Sequence, residues 1–274
     1  MSHLRVKSAP CDDFGVVIDI TPESAGWKHV GFRMVKLLAG QPYRGQEAGR
    51  EACLVVLSGD THITVGETDF GHVGGRKSVF EDVAPGAVYV PPDEPYVVVA
   101  ESAVELAVCT APGSTGISAR TISPHEMVRK VRGMGTNTRY VRNILPEDQP
   151  AFSLLVVEVV TPGGHWSSYP PHKHDSARPG EETALEETYY HRINPRQGFA
   201  CQRVYTDDRR LDEMILVEDE DVVMVPEGYH PVSAAHGYDL YYLNVMAGPT
   251  RSWLFHNDSD HAWMLSDTPQ STSR

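Results

Sequence analysis

The chain has 274 residues, 41% hydrophobic and 22% charged, enough to bury a sizeable core as one large soluble domain or two compact ones. Its formal net charge of -13 argues against nucleic acid or an anionic membrane surface as partner. A small anionic substrate stays open, because a local cluster of Arg and Lys outweighs the global field at short range.

The first residues, MSHLRVKSAP, carry no apolar signal region. No later stretch approaches the roughly 20 apolar residues that span a bilayer, so a cytoplasmic protein is expected. Short apolar runs follow, at Leu54–Leu57, Val88–Val90 and Tyr96–Val99, each of strand length and bounded by turn residues. Ser123–Arg132 reads as the one helix, with Ser123 as cap, Pro124 in the first turn and basic residues at its end. Strand-like runs resume at Leu154–Val157, Val222–Val225 and Leu240–Leu243. The expected class is all-β with little helix. Cys11, Cys53, Cys109 and Cys201 form no C-x-x-C pair and read as free thiols in a reducing compartment.

An internal repeat divides the chain. GAVYVPPDEPYVVVAES begins at Gly86 and DVVMVPEGYHPVSAAHG at Asp221; both show a strand, a Val-Pro corner and a second strand. Aligned on that corner, Pro91 falls on Pro226 and Pro95 on His230. Two tandem barrels are expected: residues 1–120, a bridging helix and loop over 121–150, and 151–274. His62 and His72 in the first barrel lack an H-x-H pattern, so that barrel is expected to be metal-free and to serve packing or homo-oligomer formation.

The chemistry concentrates in the second half. In Tyr169-Pro170-Pro171-His172-Lys173-His174 the H-x-H pair puts two imidazoles on one face of a strand, with Lys173 facing away. In Leu185-Glu186-Glu187-Thr188-Tyr189-Tyr190-His191 alternation gathers Glu187, Tyr189 and His191 on one face and Glu186, Thr188 and Tyr190 on the other. Glu187 is favoured as a ligand, with Glu186 its rival. His230 follows a Pro-x-Gly turn, Pro226-Glu227-Gly228, that aims it inward. Three imidazoles and a carboxylate suit one divalent ion: Zn, Mn, Fe, Co or Ni. An octahedral ion held by His172, His174, Glu187 and His230 keeps two positions for a bidentate substrate. His165, His236, His256 and His261 fall outside this pattern and read as structural or exposed.

These motifs resemble the cupin pattern, an H-x-H with a later Glu followed by P-x-G and His. More closely, GGHWSSYPPHKHD from Gly163, LEETYYHR from Leu185, VPEGYHP from Val225 and YYLNVMAG from Tyr241 resemble the 5-deoxyglucuronate isomerase family of inositol catabolism. The likeness is dense from about residue 150 to 265. It implies a bicupin fold of jelly-roll-like barrels and an aldose–ketose isomerisation, 5-deoxy-D-glucuronate to 5-dehydro-2-deoxy-D-gluconate. It also implies kinship with a ketol-isomerase whose metal sits on three His and one Glu, roles that fall here on His172, His174, His230 and Glu187. The gap between His174 and Glu187 is longer than the usual cupin spacing.

Such a reaction moves a proton from C2 to C1 through a cis-enediolate, whose charge a divalent cation stabilises. Glu186, Glu187, Tyr189 and His191 are the candidate proton carriers, and the sequence does not choose among them. A guanidinium suits the substrate carboxylate, with Arg203 first and Arg192 or Lys173 as alternatives. Tyr205, Tyr241 and Tyr242 are candidate pocket walls, and Cys201 falls in phase with Arg203. Two rival readings are a cupin Fe(II) dioxygenase, which oxygen uptake would reveal, and a non-catalytic sugar sensor, which turnover would exclude.

Overall fold

A computed structural model describes residues 2–265. Antiparallel strands account for nearly all its regular structure, as the β-branched and aromatic runs predict. Among the described residues the only α-helix is the turn Pro22–Ala25, capped by Thr21. None of their helices is long and apolar enough to cross a membrane.

Strands between Val16 and Ile122 build the first barrel around one long strand, Arg50–Val65. Its first half pairs with Gly86–Val90 and Val104–Pro112, its second half with Thr68–Arg76 and Tyr96–Ala100. One strand thus serves two sheets and curls the whole into a barrel. In the second barrel a seven-stranded sheet runs in the order Arg5–Val6, Val222–Val225, Glu186–Asn194, Asp239–Ala247, Leu155–Thr161, Arg139–Leu145, Lys130–Arg132. A four-stranded sheet, Trp166–Ser167, Val232–Ala234, Ala200–Tyr205 and Asp212–Val217, is its counterpart. The strand Arg5–Val6 therefore belongs to the second barrel's sheet, outside the 1–120 unit expected for the first.

The expected helix at Ser123–Arg132 is absent. Ser123 does start a turn: its Oγ accepts from His125 N–H, and Glu126 returns to Ser123 N–H. One turn later the chain straightens into the strand Lys130–Arg132, paired with Arg139–Leu145. Met127 is the segment's only buried apolar side chain after the turn, while Val128 and Val131 are exposed. Without an apolar stripe nothing offsets helix nucleation, and the free edge of the sheet captures the segment.

Both faces of the seven-stranded sheet are buried. Tyr189, Val223, Tyr242 and Met246 point into the second barrel, against Val204 and Val232. Tyr190, Val222, Tyr241 and Leu243 point out, into a core shared with Phe32, Cys53, Tyr89 and Cys109 of the first barrel. Each such side chain contributes about 1.5–3 kcal/mol by burial, so the two barrels share one hydrophobic interface. Within it Arg76 is fully buried, 2.9 Å from Glu158, and Tyr241 donates to the same carboxylate at 3.1 Å.

A pseudo-symmetric pair of carboxylates fastens the barrels. Glu51, opposite Ala111, accepts from the backbone N–H groups of Phe152, Ser153 and Leu154, just before the strand Leu155–Thr161. Glu186, opposite Ala247, accepts from those of Lys28, His29 and Val30, just before the strand Gly31–Leu37. Each barrel thus caps the entry to the other's first central strand. The correspondence also sets the register: the counterpart of Glu187 in the first barrel is Ala52.

Candidate active site

Four polar side chains enter the apolar interior of the second barrel, each by a local rule. His172 and His174 lie two residues apart beyond Pro170-Pro171, and both are buried. Lys173 alternates to the other side but does not reach solvent. The polar loop after it folds back, and its ammonium is buried 2.7 Å from Asp175 and 3.3 Å from Glu182. Glu187 lies mid-sheet, opposite Val225 on one side and Met246 on the other. Gly228 takes a left-handed φ of 86°, and a Cβ there would collide with the backbone of Tyr205. This turn delivers His230, which is fully buried.

The ring nitrogens of His172, His174 and His230 that face one another lie within 4.8 Å. Glu187 Oε2 is 3.1 Å from His174 Nε2 and 3.3 Å from His230 Nε2. His230 Nδ1 lies 2.9 Å from Gly228 O, which accepts its proton and leaves Nε2 as a bare lone pair. That buried Nε2 makes no hydrogen bond. A lone pair facing a carboxylate oxygen is repulsive unless a cation lies between them.

One shared proton can satisfy only part of the cluster. Burial opposes charging His174, but its bond to Glu187 wins and its pKa is raised. Burial pushes His230 down to about 4, despite the attraction of Glu187. Burial, reinforced by His230 and His174, holds His172 well below its usual value. His172 and His230 are thus held as neutral imidazoles, and with His174, once a cation displaces its proton, and the Glu187 carboxylate they match the donor set a borderline divalent ion takes. The cluster could bind a metal ion.

A cavity of about 520 Å³ opens beside His172, walled by Tyr189, Tyr242, Asn244, Arg132 and Arg139 among others. Tyr189 lies 5.7 Å ring to ring from His230, and its hydroxyl is 2.8 Å from Ser168 Oγ. Burial raises Tyr189 well above its usual value, so its phenol stays protonated.

Other expected residues lie elsewhere. Glu186 faces the first barrel, as described above, and cannot reach the cavity. His191 shares the inward face but is deeper, stacked on Tyr189 and 3.0 Å from Gln202. Burial pushes it down to about 4. Arg203 is held by both oxygens of Asp212 at 2.7 Å. Arg192 is bound to Asp219 and Glu105 at the inter-barrel cleft. Tyr205 donates to Asp258 at 2.7 Å and stacks on Tyr229. Tyr241 faces the barrel interface, and its neighbour Tyr242 takes the cavity side. Arg132 and Arg139 line the cavity without having been singled out in the sequence. The helix expected at 123–132 hid Arg132 by making it an end-of-helix charge, and Arg139 fell in the bridging loop expected after it.

Two tandem barrels with a buried histidine–carboxylate cluster inside the second define a bicupin. The chain belongs to the KduI/IolB family, whose model matches residues 4–264. It is 54% identical over 265 residues to a 5-deoxy-glucuronate isomerase of Geobacillus kaustophilus, covering 97% of this chain and 96% of that one. It is 45% identical over 251 residues to the protein of that name from Bacillus subtilis, covering 91% and 93%. An IolB-like protein of Salmonella typhimurium superposes with a TM-score of 0.94 at 49% identity, covering 97% of this chain and 100% of that one. Bacillus subtilis oxalate decarboxylase superposes at 0.62 with 11% identity, over 94% and 80%, a likeness of fold.

Proposed function

We propose that this chain is a metal-dependent aldose–ketose isomerase that converts 5-deoxy-D-glucuronate to 5-dehydro-2-deoxy-D-gluconate in inositol catabolism. The observation that carries the metal dependence is the fully buried Nε2 of His230, 3.3 Å from a carboxylate oxygen and without a hydrogen bond. His172, His174, His230 and Glu187 would hold one divalent ion of the Zn, Mn, Fe, Co or Ni group. Such an ion supplies a fixed positive charge against the negative charge that develops on O1 and O2 of the open-chain sugar.

The chain's own groups do the rest. A general base takes the C2 proton and gives a proton back to C1, while O2 loses its hydroxyl proton and O1 gains one, so that the carbonyl moves from C1 to C2. Tyr189, protonated and oriented by Ser168, donates to the sugar oxygen that gains negative charge. Asn244 and Tyr242 border the same space and exclude water from the enediolate. The free cysteines and the metabolic role suit a reducing cytoplasm.

The test is incubation of metal-loaded protein with 5-deoxyglucuronate in deuterated water. Product carrying deuterium at the new CH2OH carbon is expected. Absence of turnover across all five ions would remove the isomerase assignment.

A further inference from the structure

We propose that Arg139, with Arg132 beside it, forms the subsite that holds the substrate's carboxylate and sets the preference for a sugar acid over a neutral sugar. The cationic site itself stands on geometry; that its anion belongs to a uronate rests on the isomerase reading above.

Arg132 and Arg139 are direct register partners on the antiparallel strands Lys130–Arg132 and Arg139–Leu145. Residues directly opposite share a face, and like charges there repel. Both line the cavity that contains His172. Neither forms an ion pair with a carboxylate among the described residues, and no Asp or Glu among them lines this cavity. In a chain of net charge -13, two cations facing each other without a counter-ion are a local exception.

Donors remain available, as an anion site requires. Arg139 spends only Nη1, on the carbonyls of Asn137 and Tyr169 at 3.1 and 3.2 Å. These bonds fix the guanidinium plane and leave Nε and Nη2 uncommitted. By contrast Arg251, another half-buried arginine without a carboxylate, spends Nε and both terminal nitrogens on carbonyls. Arg132 stands with its guanidinium 5.7 Å from the Trp253 ring centre. Burial lowers the pKa of Arg139 and the charge of Arg132 adds to the effect, although Tyr242 opposes it. A carboxylate bound across the fork would relieve that cost and match the planar geometry of a guanidinium. The arginines favoured from the sequence, Arg203 and Arg192, already hold Asp212 and Asp219.

The experiment compares two sugars on the metal-loaded full chain: 5-deoxyglucuronate and the neutral aldose with CH2OH in place of its carboxylate. Arg139→Met should lower kcat/KM for the uronate about 100-fold, chiefly through KM, and for the neutral sugar less than about threefold. Arg132→Met should cost the uronate about 10-fold. Arg139→Lys should recover only part, since an ammonium lacks the fork. Equal losses on both sugars, in variants of unchanged melting temperature and metal content, overturn the proposal, as does an unchanged KM for the uronate. If the wild type turns over neither sugar, the isomerase reading fails, and equilibrium binding still decides the subsite. Uronate binding at least about 10-fold tighter than the neutral sugar, lost in Arg139→Met, supports it, and no such preference overturns it.

Discussion

The two barrels share a frame and differ in how their polar groups are satisfied. In the first barrel Arg33, on the strand Gly31–Leu37, donates to Tyr43 at 2.9 Å and to Glu47 at 3.3 Å, and Tyr96 donates to Glu47 at 2.9 Å. Tyr43 occupies the strand that precedes Arg50–Val65, as His172 precedes Glu186–Asn194, and Tyr96 follows the Val-Pro corner, as His230 does. Every charge in this network has an opposite charge or a donor. In the second barrel acceptors face acceptors at Glu187 and His230, and cations face cations at Arg132 and Arg139. A structural cluster closes on itself; a binding cluster is left incomplete until its ligands arrive.

The sharpest way to break that contrast is to remove a ligand. His230→Gln should abolish tight metal retention and lower kcat/KM at least about 10³-fold, read by metal content and by turnover. Retention of a full equivalent of metal would show that the cluster is not the binding site. The reverse exchange tests the first barrel. Ala52→Glu places a carboxylate at the register of Glu187, but among Leu54, Val90 and Val108 and without imidazoles. It should destabilise the protein by about 3 kcal/mol or more, measured by denaturant unfolding, and should gain no metal.

Smaller effects sharpen the roles around the second cluster. Tyr189→Phe keeps the ring packing and removes one hydroxyl bonded to Ser168. A fall in kcat of about 10- to 100-fold is expected with a stability change within about 1 kcal/mol. The two staples give the finest comparison. Glu51→Gln removes a fully buried charge that accepts three backbone N–H groups and the Tyr89 hydroxyl, and should cost about 2–3 kcal/mol. Glu186→Gln, at a partly exposed site with three N–H donors, should cost about half as much and leave kcat within about twofold. A large loss of kcat in Glu186→Gln without unfolding would return that residue to the list of proton carriers.

The legibility of each site residue follows from what fixes it. His172, His174, Glu187 and His230 lie in short strands or tight turns, where spacing of two or a Pro-x-Gly corner determines direction. Tyr241 and Tyr242 were less legible, because both faces of their sheet are buried and each residue is apolar enough for either. The exclusion of Glu186 depended on loop 28–30, more than 150 residues away along the chain. Lys173 looked solvent-facing by alternation, and a loop closed over it.

The sequence alone determined the strand-rich class, the Val-Pro repeat and the local aim of the four converging side chains, since these are set by alternation and turn chemistry within a few residues. Tertiary structure decided which face of the shared sheet meets the first barrel, which carboxylate caps a distant loop and which arginines have no carboxylate partner among the described residues. Those outcomes depend on partners brought together by folding. A strand at Lys130–Arg132 exists only because a sheet edge was there to receive it, and that pairing sets Arg132 opposite Arg139.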